Sequence, residues 1–333
     1  MNAAVLHSPG ESEEMHITGI PVPRPGPGQV LVRVNAALVS PTDLEILSGS
    51  TSADSPSVPG SDVAGEVILV GAGVTECSPG DRVLVVSESM GRTRPGGYAE
   101  YVAVSAAELH SIPDNVSFIS SASVGRAFSR AWTALFHDAR LGTLERVAVI
   151  GAADPIGIAA IQICRWKGSS VVAVSNGRHA KRLNAIGATR VVSQSAPNLA
   201  DHVRAGLGRR GATVVVSIFG AALPNCIEML DRKGRLVLTR GGDPQLVDIR
   251  RLVETQARVI GSTALIDSVD VHQILKLLSE ATFLPVIDSI YPLSQAGEAH
   301  RRAKSEVTFG AVLLVPDYLY RSAEQLTELL EED

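Results

Sequence analysis

Residues 147–168 read VAVIGAADPIGIAAIQICRWKG. Four apolar residues, Val147 to Ile150, predict a strand. The run Ile156 to Lys167 has its apolar residues at helical spacing, and a turn bounded by Gly151 and Gly157 joins the two. A strand, a glycine-bearing turn and a helix in that order leave backbone N–H groups at a helix N-terminus. There the positive end of the dipole holds a pyrophosphate. Gly151, Ala152, Ala153, Asp154, Pro155, Ile156 and Gly157 are therefore cofactor-binding candidates. Gly157 suits close packing of helix on strand, but the position nearest the phosphate is Asp154, which brings a carboxylate toward an anion. The competing reading is a plain helix start, capped by Asp154 with Pro155 at its first helical position.

Outward from this turn, strands and helices alternate. Ser170 to Val174, Val191 to Val192, Thr213 to Ile218, Arg235 to Thr239 and Arg258 to Gly261 read as strands, with helices over Ala180 to Ile186 and Leu223 to Leu230. The strands are almost wholly apolar, as expected where crossover helices cover both faces of a parallel sheet. This is the pattern of an α/β, doubly wound Rossmann domain. The strand from Ser170 ends in Ser175, Asn176, Gly177 and Arg178, with Lys181 shortly after. An acidic residue at this place favours NAD, whereas Ser175, Arg178 and Lys181 favour NADPH, with Asn176 a further cofactor-binding candidate; the alternative is a solvated basic helix start. Before residue 123 the chain is β-rich, with strands over Gln29 to Val34, Asp62 to Val70, Asp81 to Val86 and Tyr98 to Val104, and a helix follows at Ala127 to Ala139. After the parallel series come a helix from Val271 to Ala281, strands at Val286 to Tyr291 and Gly310 to Val315, and a short acidic amphipathic helix at Ser322 to Leu330.

Composition narrows the function. With 333 residues the chain has room for two domains, and 45% hydrophobic against 20% charged residues excludes disorder. A net charge of −5 and 4% aromatics argue against nucleic-acid binding. Cys77, Cys164 and Cys226 are scattered and form neither a disulfide framework nor a zinc pattern. The first residues do not read as a signal peptide and no stretch reads as a membrane span, so a cytoplasmic protein is expected. Six histidines, His110, His137, His179, His202, His272 and His300, lack metal-ligand spacing and are expected at the surface or in packing.

Ordered motifs carry a further resemblance. They are PRPGPGQVLVRV (23–34), SPTDLEILSG (40–49), VPGSDVAGEVILVGAGV (58–74), PGDRVLV (79–85), GGYAEYV (96–102) and IPDNVSF (112–118), then the stretch at 147–168, KGRLVLTRGG (233–242), PVIDSIYPLSQAGEAHR (285–301) and FGAVLLVP (309–316). Together they resemble the medium-chain dehydrogenase/reductase superfamily, in its zinc-independent quinone oxidoreductase-like branch. The resemblance implies a GroES-like β-rich catalytic domain from both chain ends (1–122 and 266–333) and a Rossmann domain between them (123–265). It also implies NADPH-linked reduction of a small-molecule substrate, usually by a homodimer, with Gly241 added to the cofactor-binding candidates.

The departures from that family shape the expected chemistry. Ser40 stands where zinc members carry Cys, and Ser61 stands where they carry His. Neither Ser is a ligand of the type zinc prefers, so no metal site is expected. Without zinc, reduction of an α,β-unsaturated carbonyl, enoyl thioester or quinone is favoured over alcohol oxidation. Ser40 and Asp43 are catalytic candidates. Ser40 either bonds a substrate oxygen or a cofactor amide, or Pro41 and Asp43 merely shape a turn and cap a helix. Arg130 replaces the family's small hydroxyl residue and is the third candidate, either recruiting an anionic or carbonyl substrate or blocking the pocket. Asp154, Pro155, Arg130, Gln194 and Ser217 all depart from the pattern. They motivate an alternative: a cofactor-impaired member that binds or assembles with a partner, or catalyses a non-redox step.

Overall fold

The computed structural model describes residues 1–7, 15–47, 57–220, 222–262, 266–305 and 307–320. The acidic helix expected at Ser322 to Leu330 lies outside them. The chain divides into two compact units, one of Met1–Arg126, Val271–Ser279 and Ile287–Asp333, the other of Ala127–Asp270 and Glu280–Val286. The boundaries thus differ from the expected 122/123 and 265/266. The first falls after Arg126, and the short segment Glu280–Val286 returns to the second unit.

Along the chain the strands are β1 (Asn2–Leu6), β2 (Met15–Gly19), β3 (Gln29–Leu38), β4 (Asp62–Val70), β5 (Arg82–Val86), β6 (Tyr101–Ser105) and β7 (Leu109–Ser111). They continue as β8 (Arg146–Ile150), β9 (Ser170–Ser175), β10 (Arg190–Ser193), β11 (Ala212–Ser217), β12 (Leu230–Leu238) and β13 (Arg258–Gly261), then β14 (Ile287–Pro292) and β15 (Ala311–Val315).

The first unit holds a seven-stranded sheet of order β14-β15-β3-β4-β5-β7 with β6 on β3, and a separate β1-β2 pair. Both chain ends meet where β15 runs antiparallel to β3, Leu313 opposite Leu38. Valines from β3, β4, β5 and β6 fill its core together with Tyr98 and Met90. Alternation of buried and partly exposed residues along β6 follows from an antiparallel sheet with one face on the core.

In the second unit six parallel strands are ordered β10-β9-β8-β11-β12-β13, so the first strand of the series lies centrally and the order reverses between β8 and β11. Val147, Ala148 and Val149 of β8 are wholly buried, as are Val214, Val215 and Val216 of β11. Burial on both faces explains why these strands read as unbroken apolar runs. In open sheets of this kind ligands bind outside the carboxyl ends of the strands at the reversal point. That end carries Gly151 after β8, Ser175 on β9 and Gly220 after β11.

The helix α1 spans Pro41–Leu47, and α2 spans Phe118–Trp132 with a π-helical extension over Thr133–Asp138. α2 begins nine residues earlier than the sequence predicts. Its first two turns are the Ser-rich stretch 118–125. Ser117 Oγ accepts from Ser120 N–H as a cap, and Gly125 packs so closely on Leu84 and Val86 that an added Cβ would lie 3.0 Å from Val86 Cγ2. Small residues serve contact here rather than flexibility. After β8 comes α3 (Pro155–Trp166) and after β9 comes α4 (Ala180–Ala185).

Candidate functional site

The turn between β8 and α3 is built on two glycines. Gly151 has φ +83°, and a Cβ there would meet Ile218 and the Phe219 ring at 3.1 Å. A Cβ on Gly157 would lie 2.6 Å from Gly151 O, so only glycine lets α3 close on the strand end. The N–H groups of Gly151 and Ala152 both donate to Val174 O at 3.1 Å, tying the turn to β9.

Asp154 is the N-cap of α3. Its Oδ1 accepts the Ile156 N–H at 2.9 Å, and Pro155 occupies the first turn. Burial pushes the Asp154 carboxyl above its ordinary range, while Arg240, the Ile156 N–H and Arg130 pull it down. Arg240 is held with its guanidinium carbon 5.7 Å from the centroid of Phe219. Gly241 lines a cavity of about 590 Å³ with Phe219, Gly220, Gly242, Asp243 and Gln245.

At the end of β9, Ser175 is buried and its Oγ accepts the Gly177 N–H at 3.3 Å, while Asn176 Oδ1 accepts the Arg178 N–H at 3.1 Å. Gly177 has φ +83°, which closes a tight polar turn. Arg178 and Lys181 point to solvent. Sequence reasoning missed Arg240, although it borders Gly241 and stands one residue after Thr239.

In the first unit Ser40 and Asp43 are both 0% exposed. Asp43 Oδ2 accepts from Ser40 N–H and its Oδ1 from Gly60 N–H, each at 2.9 Å, and Asp43 N–H donates to Ser40 Oγ at 3.3 Å. Burial raises the Asp43 carboxyl to about 6. The two side chains thus brace the start of α1, and Asp43 also ties it to the backbone at Gly60. The two positions where zinc relatives carry Cys and His do come together: Ser40 Oγ and Ser61 Oγ are 3.0 Å apart. Ser61 Oγ donates to Asp62 Oδ2 at 2.7 Å, so the proton shared with Ser40 is Ser40's own.

Asp62 Oδ2 also accepts from Arg126 Nε at 2.6 Å, while Arg126 Nη1 reaches Glu88 Oε1 at 2.5 Å and Nη2 reaches Ser87 O at 2.7 Å. The two carboxylates keep this guanidinium protonated in spite of its burial. Arg126 has no counterpart among the sequence candidates; it lies on α2 one residue before the point where the sequence predicts that helix to begin. Among the described residues no group of three or more His, Cys, Asp or Glu side chains clusters closely enough to hold a metal ion.

His300 is buried, with Nε2 3.0 Å from Tyr98 Oη, and burial lowers its pKa to about 3, Lys304 adding to the effect. His110 is buried edge-to-face against His272 and is lowered to about 4. Among the described residues no helix is long and apolar enough to cross a membrane.

Two family models match. Residues 26–114 fit the alcohol dehydrogenase GroES-like domain and residues 155–280 fit the zinc-binding dehydrogenase model. The quinone oxidoreductase of Rattus norvegicus is 32% identical over 288 residues, covering 84% of this chain and 86% of the relative. The chain is a quinone oxidoreductase-like member of the medium-chain dehydrogenase/reductase superfamily. It is an oxidoreductase, and oxidoreductases of this superfamily use nicotinamide cofactors. Among solved members, an NAD-dependent alcohol dehydrogenase has TM-score 0.89 at 29% identity, covering 95% of this chain and 99% of its own. A mycobacterial member complexed with NADPH has TM-score 0.85 at 26% identity, covering 95% and 100%.

Proposed function

We propose that this member of the superfamily is an NADPH-dependent, zinc-independent reductase of an α,β-unsaturated carbonyl, enoyl thioester or quinone. The observation that carries the reading is the polar turn at the end of β9, where Ser175 and Asn176 shape the backbone and exposed Arg178 and Lys181 stand where an acidic residue would select NAD. The Ser40–Ser61 hydroxyl pair supports zinc independence, since these positions offer neither thiolate nor imidazole.

The residues fit a dinucleotide in two respects: Gly151 and Gly157 let α3 start close on the end of β8, and the β9 end has cations for a 2′-phosphate. Arg178 and Lys181 would hold that phosphate, and the 151–157 turn would face the pyrophosphate. When bound, the reduced nicotinamide supplies a hydride. Arg130 lies in the last turn of α2, where its charge adds to the effect of Arg240 on Asp154. Ser40 and Asp43 act by position: they brace the start of α1 and the backbone at Gly60. The proposed setting is the cytoplasm, as a homodimer acting on a small molecule.

Fluorescence titration of the purified protein with NADPH and NADH tests the reading, together with elemental analysis. Tighter NADPH binding without stoichiometric zinc is the expected result; equal affinities or bound zinc would refute it. Replacing both Arg178 and Lys181 by Ala is expected to weaken NADPH about 10- to 100-fold while leaving NADH within about 2-fold, the size of one or two lost charge-assisted contacts.

A further inference from the structure

A cavity of about 240 Å³ lies in the β-rich first unit, between segment 20–23, segment 94–96 and β6. It shares no lining residue with the Ser40–Ser61 pair or with the cavity at Gly241. Its walls are fixed by the chain itself. Met1 N–H and Ile20 N–H each donate to the other residue's carbonyl at 2.9 Å, and Gly96 N–H donates to Val58 O at 2.7 Å. A Cβ on Gly96 would lie 2.3 Å from Pro59 O, so segment 94–96 is seated directly on the Val58–Gly60 backbone. Exposed Pro21 and Pro95 stiffen the mouth. Among the described side chains of the lining, Arg94 alone carries charge, and that charge is already matched. Its Nη2 donates to Glu108 Oε2 and Ser87 Oγ, its Nε to Ser89 Oγ at 2.9 Å and its Nη1 to Ala103 O at 3.2 Å. A carboxylate ligand would have to take Arg94 from Glu108, whereas a neutral acceptor needs only the second N–H of Nη1, the one of the five that these bonds leave over. Size narrows the ligand further. An apolar cavity of about 150 Å³ accommodates one benzene ring, so this one takes two fused rings.

We propose that this cavity is a binding site for a neutral, planar two-ring aromatic molecule bearing a hydroxyl or carbonyl oxygen, held by the apolar walls and by the remaining Arg94 N–H. The site goes beyond the reductase reading and does not rest on it, since every lining residue belongs to the first unit and none is a cofactor-binding candidate.

The test uses the full chain without cofactor and three probes of one shape: 2-naphthol, which is neutral and carries the oxygen; naphthalene, which lacks it; and 2-naphthoate, which is anionic. In protein with labelled valine methyls, nuclear Overhauser effects from 2-naphthol at millimolar concentration are expected on Val58 and Val102, which line the cavity. Naphthalene is expected to bind about 3- to 10-fold more weakly than 2-naphthol, the size of one hydrogen bond, and 2-naphthoate at least about 10-fold more weakly, because its charge finds no free partner. Ala103→Leu adds three carbons to the wall and is expected to weaken 2-naphthol at least about 10-fold by overpacking. The methyl mapping needs no variant, so it decides the matter even where Ala103→Leu fails to fold. Absence of binding at millimolar 2-naphthol, contacts confined to other valines, a folded Ala103→Leu with wild-type affinity, or naphthalene or 2-naphthoate binding as tightly as 2-naphthol would each overturn the proposal, and none of them bears on NADPH binding.

Discussion

Replacing Arg126 with Met is expected to destabilise the protein by about 3–5 kcal/mol, the usual consequence of removing one partner from a buried ion pair. The guanidinium is 2% exposed and serves Asp62, Glu88 and the Ser87 carbonyl at once. Asp62 is itself 0% exposed, and its Oδ2 also takes the Ser61 proton. Without Arg126 that carboxylate keeps one neutral donor and an unpaired charge in a low-dielectric interior. The loss is one of desolvation left unbalanced more than of attraction. Removing both charges, as in Arg126→Met with Asp62→Asn, is therefore expected to recover more than half of it. Urea unfolding midpoints of the single and double variants measure the difference. A single variant within about 1 kcal/mol of the wild type would mean that water reaches Asp62 and the pair is not a buried one.

How far the sequence reveals such a site depends on the range of the interaction. The strand series of the Rossmann unit is legible because its strands are buried on both faces and its turn carries Gly151 and Gly157, whereas the helices at Leu199–Gly206 and Ile249–Thr255 have no counterpart in the sequence reading. The cap at Asp154 is legible too, since it joins neighbours only two residues apart. Arg126 is not. Its partners Asp62 and Glu88 lie 64 and 38 residues away, and a Ser- and Gly-rich setting reads as loop until Leu84 and Val86 are seen to demand small side chains. The Tyr98–His300 contact spans 202 residues and joins the β-rich first part of the chain to the helix Ala296–Lys304. Histidines expected at the surface or in packing thus include two buried groups, and the expectation missed His300's polar partner. The spacing of Ser40 and Ser61 likewise does not disclose that their hydroxyls touch. The family resemblance aligned those positions, and the loop held by Asp43 brings them together.

Those buried titratable groups predict steep acid destabilisation. His300 and His110 have folded-state pKa values of about 3 and about 4 against 6.5 for the free side chain. A depressed value means that the unfolded chain binds the proton first. Their contribution is therefore complete above pH 6.5 and falls as the pH drops through 6.5 toward 4 and 3. Each group is then expected to remove about 3 kcal/mol by pH 4. Asp43 works in the opposite sense. Its carboxyl is raised from 3.8 to about 6, so the folded state takes up the proton first. Its contribution is full below pH 3.8 and is lost as the pH rises through 6, returning about 2 kcal/mol on going from pH 7 to pH 4. The two histidines outweigh the one aspartate, so stability falls between pH 6.5 and 4. His300→Gln has no titrating ring and retains a polar end for Tyr98. It is expected to lower stability at pH 7 yet flatten the decline by about 3 kcal/mol, read from urea midpoints at pH 7 and pH 4. Asp43→Asn is expected to steepen the decline, because only the histidines then titrate against it. A His300→Gln profile parallel to that of the wild type would show that His300 takes up its proton without unfolding, and would refute the assignment of acid sensitivity to its burial.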